Sequence, residues 1–585
     1  MNAPVDLAAL ARATLDDKYD VERGRVFLTG TQALIRLPIM QRRRDIAAGL
    51  NTAGYISGYR GSPLGGYDQA LGRAKKHLEE HHIRFQPGIN EDLAATAIWG
   101  TQQLDFFPGA KYDGVFGIWY GKGPGVDRCG DVFRHGNGAG SSKHGGVIAL
   151  AGDDHGAKSS TQAAQSDFIF KAVGMPVLSP SNVQEILDFG LHGFAMSRYS
   201  GCWIGFKCVT DIVESSASVY VDPEHVRIVL PEDFPMPAGG LNGRWPEFLG
   251  FIEQEQRLYH HKLFAALAYA RANSLNRTIW DSPNARLGIV TTGKAYNDVR
   301  QALDDLGIDG HTAAQIGVKL FKVGMPWPLE PNAIADFCKG LEEVLVIEEK
   351  RQLVEYQLKE QLYNLPDTLR PRIIGKFDAH GEWDVPQSNM LLPTTGELSP
   401  PMVARVIAAR IGRFHSSDAI KARLAFLDAK DAIQKAGATV VPIQRIPYFC
   451  SGCPHNTSTH VPEGSRALAG IGCHYMAQWM PERRTATFSH MGGEGVAWCG
   501  QYPFSNEKHV FANLGDGTYF HSGILAIRAA IAAKAPITYK ILFNDAVAMT
   551  GGQRHDGPLT PEMIARQVAA EGVQKIVLVT DQPEK

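Results

Sequence analysis

The feature that most constrains this chain is a turn, Gly515-Asp516-Gly517, which follows the strand-like run Val510-Phe-Ala-Asn-Leu514 and precedes Asn544 by 26 residues (518–543). A second strand-like run, Tyr539-Lys-Ile-Leu-Phe543, ends at Asn544, and an Ala-rich helix through Ala530 and Ala533 lies between the two. Strand, helix and strand in this order make a crossover unit whose strand ends point the same way. A carboxylate and an amide oxygen then converge on one point. Mg2+ takes such hard oxygens and is usually held by one or two of them together with the phosphates of a ligand. The flanking glycines let backbone approach a diphosphate closely. GDG alone reads as an ordinary strand-to-helix turn capped by Asp516. Asn544, on a second strand end, turns the reading toward a metal–diphosphate site.

The same alternation of strand and helix signals runs through the chain and predicts α/β architecture with three doubly wound parallel-sheet domains. In the first, residues 25–232, Val26–Thr29 reads as a strand, Pro38–Leu50 as a helix with Pro in its first turn, and Ala53–Ser57, Gly114–Trp119 and Gly146–Ala151 as strands ending in Gly- or Asp-rich loops. A Pro- and Gly-rich linker with a helix at Glu253–Ala272 covers 233–284. The second domain, 285–412, opens at Leu287-Gly-Ile-Val-Thr-Thr-Gly293 and contains the buried-strand run Glu343–Glu349. A charged helical connector (413–446, helix 417–436) leads to the third domain, 447–585, which is expected to close on a strand at Lys575–Thr580. A doubly wound sheet normally covers such a strand with a helix, so the chain is expected to be part of a larger functional unit.

Composition narrows the class. Hydrophobic residues make up 44% and charged residues 21%, a packed rather than a disordered profile. With Lys+Arg 59 against Asp+Glu 61, nothing global points to nucleic acid or a membrane surface. The N-terminus lacks the basic and apolar runs of a secretory signal, and no run approaches a membrane span. Eight cysteines in so long a chain imply a reducing cytoplasm, where close pairs mean metal or redox chemistry rather than disulfides. Cys450 and Cys453 form such a pair, and Cys473 follows. Three thiolates suit an iron–sulfur cluster or zinc, each of which normally needs a fourth ligand. Cys499 is one choice, His455 or His474 another for zinc, and buried reduced thiols are the alternative.

The GDG–Asn spacing resembles the thiamine diphosphate fingerprint. Beyond it, Gly515–Gly523, Ala546-Val-Ala-Met-Thr-Gly-Gly-Gln553, Cys450-Ser-Gly-Cys-Pro-His455 and Gly470-Ile-Gly-Cys473 resemble the thiamine domain of indolepyruvate ferredoxin oxidoreductases. Gly54–Pro63 and Asn90–Ala95 resemble that family's pyrimidine-binding domain, and Leu287–Gly293 with Leu345–Glu349 its transketolase C-terminal-like domain. The resemblance implies contacts to thiamine diphosphate from Gly515, Asp516, Gly517, Thr518, Asn544, Ala546, His455 and Gly493, with Mg2+ held by Asp516, Asn544 and Ala546. It implies a [4Fe–4S] cluster at Cys450, Cys453 and Cys473, although the family's fourth cysteine lies after the GDG region and this chain has none beyond Cys499.

Glu91 starts an Ala-rich helix after Asn90, a good N-cap, and on its own reads as a first-turn carboxylate favoured by the helix dipole. In thiamine enzymes a Glu at this place hydrogen-bonds the aminopyrimidine ring and promotes the tautomer that deprotonates thiazolium C2, so the resemblance makes Glu91 the activating residue. His521 is a proton donor or diphosphate neighbour, or else a structural His. Ser57, Arg60 and Ser62 form a loop suited to a 2-oxo acid carboxylate, Arg60 being equally readable as a surface Arg. Asp153, Asp154 and His155 line the same cavity or cap a turn. Arg42, Arg43 and Arg44 read as a solvated helix face, and Gly121–Gly125 resembles a nucleotide loop only loosely.

The resemblance implies oxidative decarboxylation of a 2-oxo acid, such as an aryl pyruvate, to its acyl-CoA. Electrons would pass to ferredoxin, and a gamma-type catalytic domain would come from another chain or a C-terminal half outside these residues. It also implies a homodimer at least. The alternatives are a non-oxidative thiamine decarboxylase or synthase, and a non-catalytic thiamine diphosphate-binding fragment.

Overall fold

Among the described residues, runs of β-branched and aromatic residues punctuated by Gly form three larger sheets, each packed with helices, and one two-stranded ribbon. The structure, a computed structural model, describes residues 14–244, 250–383, 389–437, 446–580 and 582–584. The chain divides into two compact units, Met1–Thr439 and Val440–Lys585.

The first unit holds two of the sheets. The N-terminal sheet has six parallel strands in the order Ile83–Phe85, Thr52–Gly58, Gly114–Lys122, Val147–Asp153, Ile204–Val209 and Val177–Leu178. Strand Thr52–Gly58 connects outward to Ile83–Phe85, and the chain then returns to pair Gly114–Lys122 on the opposite side. The order therefore reverses between Thr52–Gly58 and Gly114–Lys122, the place where open α/β sheets bind ligands at their strand C-termini. Strand Gly24–Thr29 stands outside this sheet, in an antiparallel ribbon with Ser216–Val221.

Two elements differ from the sequence reading. The helix runs Gly30–Ala47 with Pro38 in its interior, because Thr29 and Gln32 close a capping box well upstream. The burial of Leu34, Leu37, Ile39 and Met40 offsets the hydrogen bond that Pro38 removes. Nor are the arginines beyond it a solvated face. Arg42 is buried and bonds Asn51, Arg44 bonds the carbonyls of Pro223 and Val226, and Arg43 reaches Tyr19 and Asp20. Together with the fully buried Arg36, which donates to Tyr19 and Val21, they staple three chain segments around the helix. Backbone carbonyls at loop ends need donors, and guanidinium forks supply several at once.

The second sheet has the order Arg372–Ile374, Glu343–Ile347, Leu287–Thr292, Val318–Val323 and Asn276–Trp280, all parallel except the last. Alternate residues fill two cores, Ile289, Leu320 and Leu345 on one face and Val290, Phe321 and Val346 on the other, so both faces are covered. The connector helix, Asp418–Gly437, inserts Ile420 and Leu427 into the first of these cores. The expected helix near Glu253–Ala272 is also present, as Phe251–Arg257 and Leu263–Ala272 joined by a π-helical turn.

The second unit has four parallel strands, Thr485–Phe488, Ala467–Ala469, Val510–Gly515 and Ile537–Leu542 in that order. The expected strand at Lys575–Thr580 is not formed, and Val577, Leu578 and Val579 are exposed. Ile537–Leu542 ends the sheet order on its side, and an apolar run that pairs with no ladder stays irregular. No helix of the described residues is long and apolar enough to cross a membrane.

Candidate functional site

The geometry of the second unit begins at the two adjacent strand ends. Gly515 is in register with Leu542, so the strands deliver Asp516 and Asn544 side by side. Asp516 is 2% exposed. Its Oδ2 accepts the amides of Asn544 (2.9 Å) and Asp545 (2.8 Å), and its Oδ1 accepts its own neighbour Gly517 (2.9 Å). One carboxylate thus ties the two strand ends together. Asn544 Oδ1 accepts the Ala546 amide at 3.2 Å, folding the amide side chain over the same turn. Asp516–Thr518 opens a helical run that continues through a π turn, Tyr519–Gly523, into Ile524–Ala532. The helix start with its positive end therefore sits at the GDG turn, the arrangement that favours a phosphate.

Buried polar atoms around the turn make no hydrogen bond. They are both amide atoms of Asn513, Nε2 of His474 and both ring nitrogens of His555. Asn513 and Gly515 share one face of their strand, and His474 lies 3.6 Å from where a Gly515 Cβ would stand. His555 packs against Phe520 and Phe543, with Nε2 3.6 Å from Asp516 Oδ2 and Nδ1 3.7 Å from Asp545 Oδ1. Such atoms are costly unless a ligand or water satisfies them. Burial pushes His474 down to about 3, with the neighbouring His455 adding to it, and burial likewise lowers His455. Both rings are therefore neutral near pH 7, able to donate or accept a hydrogen bond. This donor and acceptor set, with Asp516 and Asn544 oxygens beside it, fits a Mg2+-bound diphosphate.

Thr518 is buried and donates to the Ile471 carbonyl at 3.0 Å, and His521 is buried with Nδ1 2.6 Å from Ser522 Oγ. Gly493 is buried within the Gly492–Gly495 loop. His455 stands 3.5 Å from Cys453 Sγ through Nδ1. Cys450 is exposed, while Cys453, Cys473 and Cys499 are half-buried. Burial raises the Cys473 thiol, and Cys453 and Cys450 act on it in the same direction. Among the described residues, however, no group of three or more His, Cys, Asp or Glu is arranged to hold a metal ion.

In the first unit, Glu91 is buried at the start of helix Glu91–Thr101, whose N-cap Asn90 accepts the Leu93 amide at 3.0 Å. Trp119 Nε1 holds the Glu91 carbonyl at 2.9 Å. Gly121–Gly125 is no loop: strand Gly114–Lys122 runs directly into helix Gly123–Arg128, where a Cβ at Gly125 would stand 2.7 Å from Glu91 Cγ, so this glycine makes room for the carboxyl. Ser57, in strand Thr52–Gly58, and Arg60, just after it, are buried, and Ser62 is half-buried. Arg60 is no surface Arg: it lies 3.7 Å from Asp68, which also accepts Tyr120 OH at 2.8 Å. Asp154 caps its own turn through Lys158 and Ser159, whereas Asp153 pairs with the buried Lys207, itself 2.8 Å from Asp167. His155 lies 4.0 Å from Glu349. Sequence reasoning missed His555, Asn513 and Glu494. The glycines flanking Glu494 in Gly492-Gly-Glu-Gly495 were the available signal.

The fold and the GDG site define a thiamine diphosphate-binding α/β chain. Residues 470–576 match the thiamine pyrophosphate enzyme C-terminal TPP binding domain, and residues 276–437 the indolepyruvate ferredoxin oxidoreductase middle domain. The chain is 26% identical over 561 residues to indolepyruvate oxidoreductase subunit IorA of Methanothermobacter marburgensis, covering 93% of this chain and 79% of that one. It is 25% identical to the IorA subunits of Thermococcus kodakarensis (80% and 70% covered) and Archaeoglobus fulgidus (92% and 78%). A 2-oxoglutarate:ferredoxin oxidoreductase from Magnetococcus marinus shares 14% identity at a TM-score of 0.46, over 66% of this chain and 65% of that one. Both matched domains and the IorA relatives point to the thiamine-containing part of indolepyruvate ferredoxin oxidoreductases as what this chain is similar to.

Proposed function

We propose that this chain carries the thiamine diphosphate site of a 2-oxo acid oxidoreductase, which decarboxylates an aryl pyruvate such as indolepyruvate and yields the acyl-CoA while ferredoxin takes the electrons. The observation that carries the reading is the Asp516 carboxylate, which bonds the backbone of both strand ends inside the matched thiamine domain. Thiamine diphosphate, when bound, would supply the nucleophile and electron sink for decarboxylation. The protein's residues do the rest. Asp516, Asn544 and Ala546 hold Mg2+, and Gly515, Gly517 and Thr518 present the helix start to the diphosphate, beside His455 and Gly493. Glu91 exchanges a proton with the aminopyrimidine nitrogen. Ser57, Arg60 and Ser62 orient the substrate carboxylate, and His521 supplies a proton near the reacting end.

The electron exit is assigned to a partner. The relatives are named as subunits, and a gamma-type domain on another chain, with coenzyme A and ferredoxin as co-substrates, completes the reaction. A homodimer of this chain is the assembly proposed. The test is to purify the chain anaerobically and supply indolepyruvate, coenzyme A, ferredoxin and the partner chain. Indoleacetyl-CoA and reduced ferredoxin are expected. Indoleacetaldehyde with no ferredoxin reduction would identify a non-oxidative decarboxylase instead.

A further inference from the structure

Glu494 has no exposed surface, yet its carboxylate is bonded to backbone rather than paired with a cation. Oε1 accepts the Ile471 amide at 3.2 Å and Oε2 the Gly492 amide at 2.8 Å, so each oxygen holds a different loop. The Glu494 carbonyl accepts Tyr539 OH at 2.9 Å, which anchors the residue to strand Ile537–Leu542. The chain of contacts continues to the GDG turn: the Ile471 carbonyl accepts Thr518 Oγ1 at 3.0 Å. The glycines on both loops are sterically required. A Cβ at Gly470 would stand 2.0 Å from Glu494 Cγ, and one at Gly492 2.1 Å from Ser522 Oγ.

A buried carboxylate is an expensive way to accept two amides, and a purely structural joint is usually built from neutral groups. What the carboxylate offers here, once it has lost its proton, is two acceptors on one planar group, which a Gln does not, since one end of its amide only donates. We propose that Glu494 is a positioning residue that clamps the Gly470–Cys473 and Gly492–Gly495 loops against the start of the Asp516 helix, fixing the cradle for the diphosphate. This rests on the thiamine diphosphate reading. It assigns to Glu494 no contact with the reacting atoms.

The test is calorimetry of the full-length chain with thiamine diphosphate and Mg2+, alongside amide hydrogen exchange in the absence of cofactor. E494Q is expected to weaken cofactor affinity by about 10-fold or more, the scale of a lost charge-assisted hydrogen bond. Exchange at Ile471 and Gly492 should quicken while helix Ile524–Ala532 stays protected. Because Thr518 acts through the same loop, E494Q/T518V should bind within about 2-fold of the weaker single variant. Should E494Q fail to fold, E494D, which keeps the charge but reaches only one loop, is expected to show the same loss. Affinity within 2-fold of wild type in a folded variant, or effects that multiply with T518V, overturns the proposal. Wild-type protein that binds no thiamine diphosphate overturns the thiamine reading itself, and the clamp with it.

Discussion

At the scale of single residues, the chemistry assigned to Glu91 has a sharp consequence. Gln is nearly isosteric and keeps the helix start, so E91Q should fold and bind thiamine diphosphate with modest loss. It exchanges no proton with the aminopyrimidine nitrogen. Acid–base assistance of this kind is typically worth ~10²–10⁴-fold, so exchange of the cofactor's C2 hydrogen for deuterium, read by NMR after acid quench, should slow on that scale. Exchange at the wild-type rate would reduce Glu91 to a helix-start carboxylate. A second consequence concerns the buried Lys207, whose ammonium stands between Asp153 and Asp167. Burial raises the Asp153 carboxyl, but Lys207 and His155 override it and leave it below the usual carboxylate range. K207M strands two buried carboxylates and should destabilise the first unit by about 3–5 kcal/mol in denaturant unfolding. A loss below about 1 kcal/mol would mean that water reaches and solvates the pair.

At the scale of elements, burial lifts Glu494 from its ordinary 4.5 to about 7. The native state then holds this proton more tightly than the unfolded chain does. The group's stabilising share is full below about 4.5 and is lost as pH rises through about 7. At 1.36 kcal/mol per pKa unit the window is worth about 3 kcal/mol. Unfolding free energy measured across it should fall for wild type relative to E494Q, and parallel curves would contradict the burial argument. The comparison with E494Q cancels contributions that do not come from Glu494. The elements also show what the sequence made legible. The strand–GDG–helix–strand unit was readable because local periodicity and one spaced Asn determine it. Arg42–Arg44 were misread because their partners, Asn51, Pro223, Val226 and Tyr19, are set by tertiary folding. Lys575–Thr580 was misread because strand propensity needs a ladder to pair with, and the sequence does not say whether one exists. His555 and Asn513 escaped because isolated polar residues give no periodic signal.

At the scale of the whole molecule, the proposed function divides labour between this chain and a partner. In the proposed function, cofactor binding and C2 activation fall to this chain, and sustained electron delivery to a partner's iron–sulfur centres. Isolated chain should release CO2 from indolepyruvate slowly and should not sustain ferredoxin reduction. Multiple-turnover reduction of ferredoxin by this chain alone would contradict the division. Beneath it lies the claim that the GDG turn is a thiamine diphosphate site closed by a metal. Asp516 ties both strand ends and, in the proposed function, would carry the ion through which the diphosphate is held. The direct measurement is calorimetric titration of thiamine diphosphate, with and without Mg2+, into wild type and D516A checked for native circular dichroism. Saturable, Mg2+-dependent binding to wild type that falls by about 100-fold or more in D516A is the predicted result; equal affinity in the two proteins would contradict it.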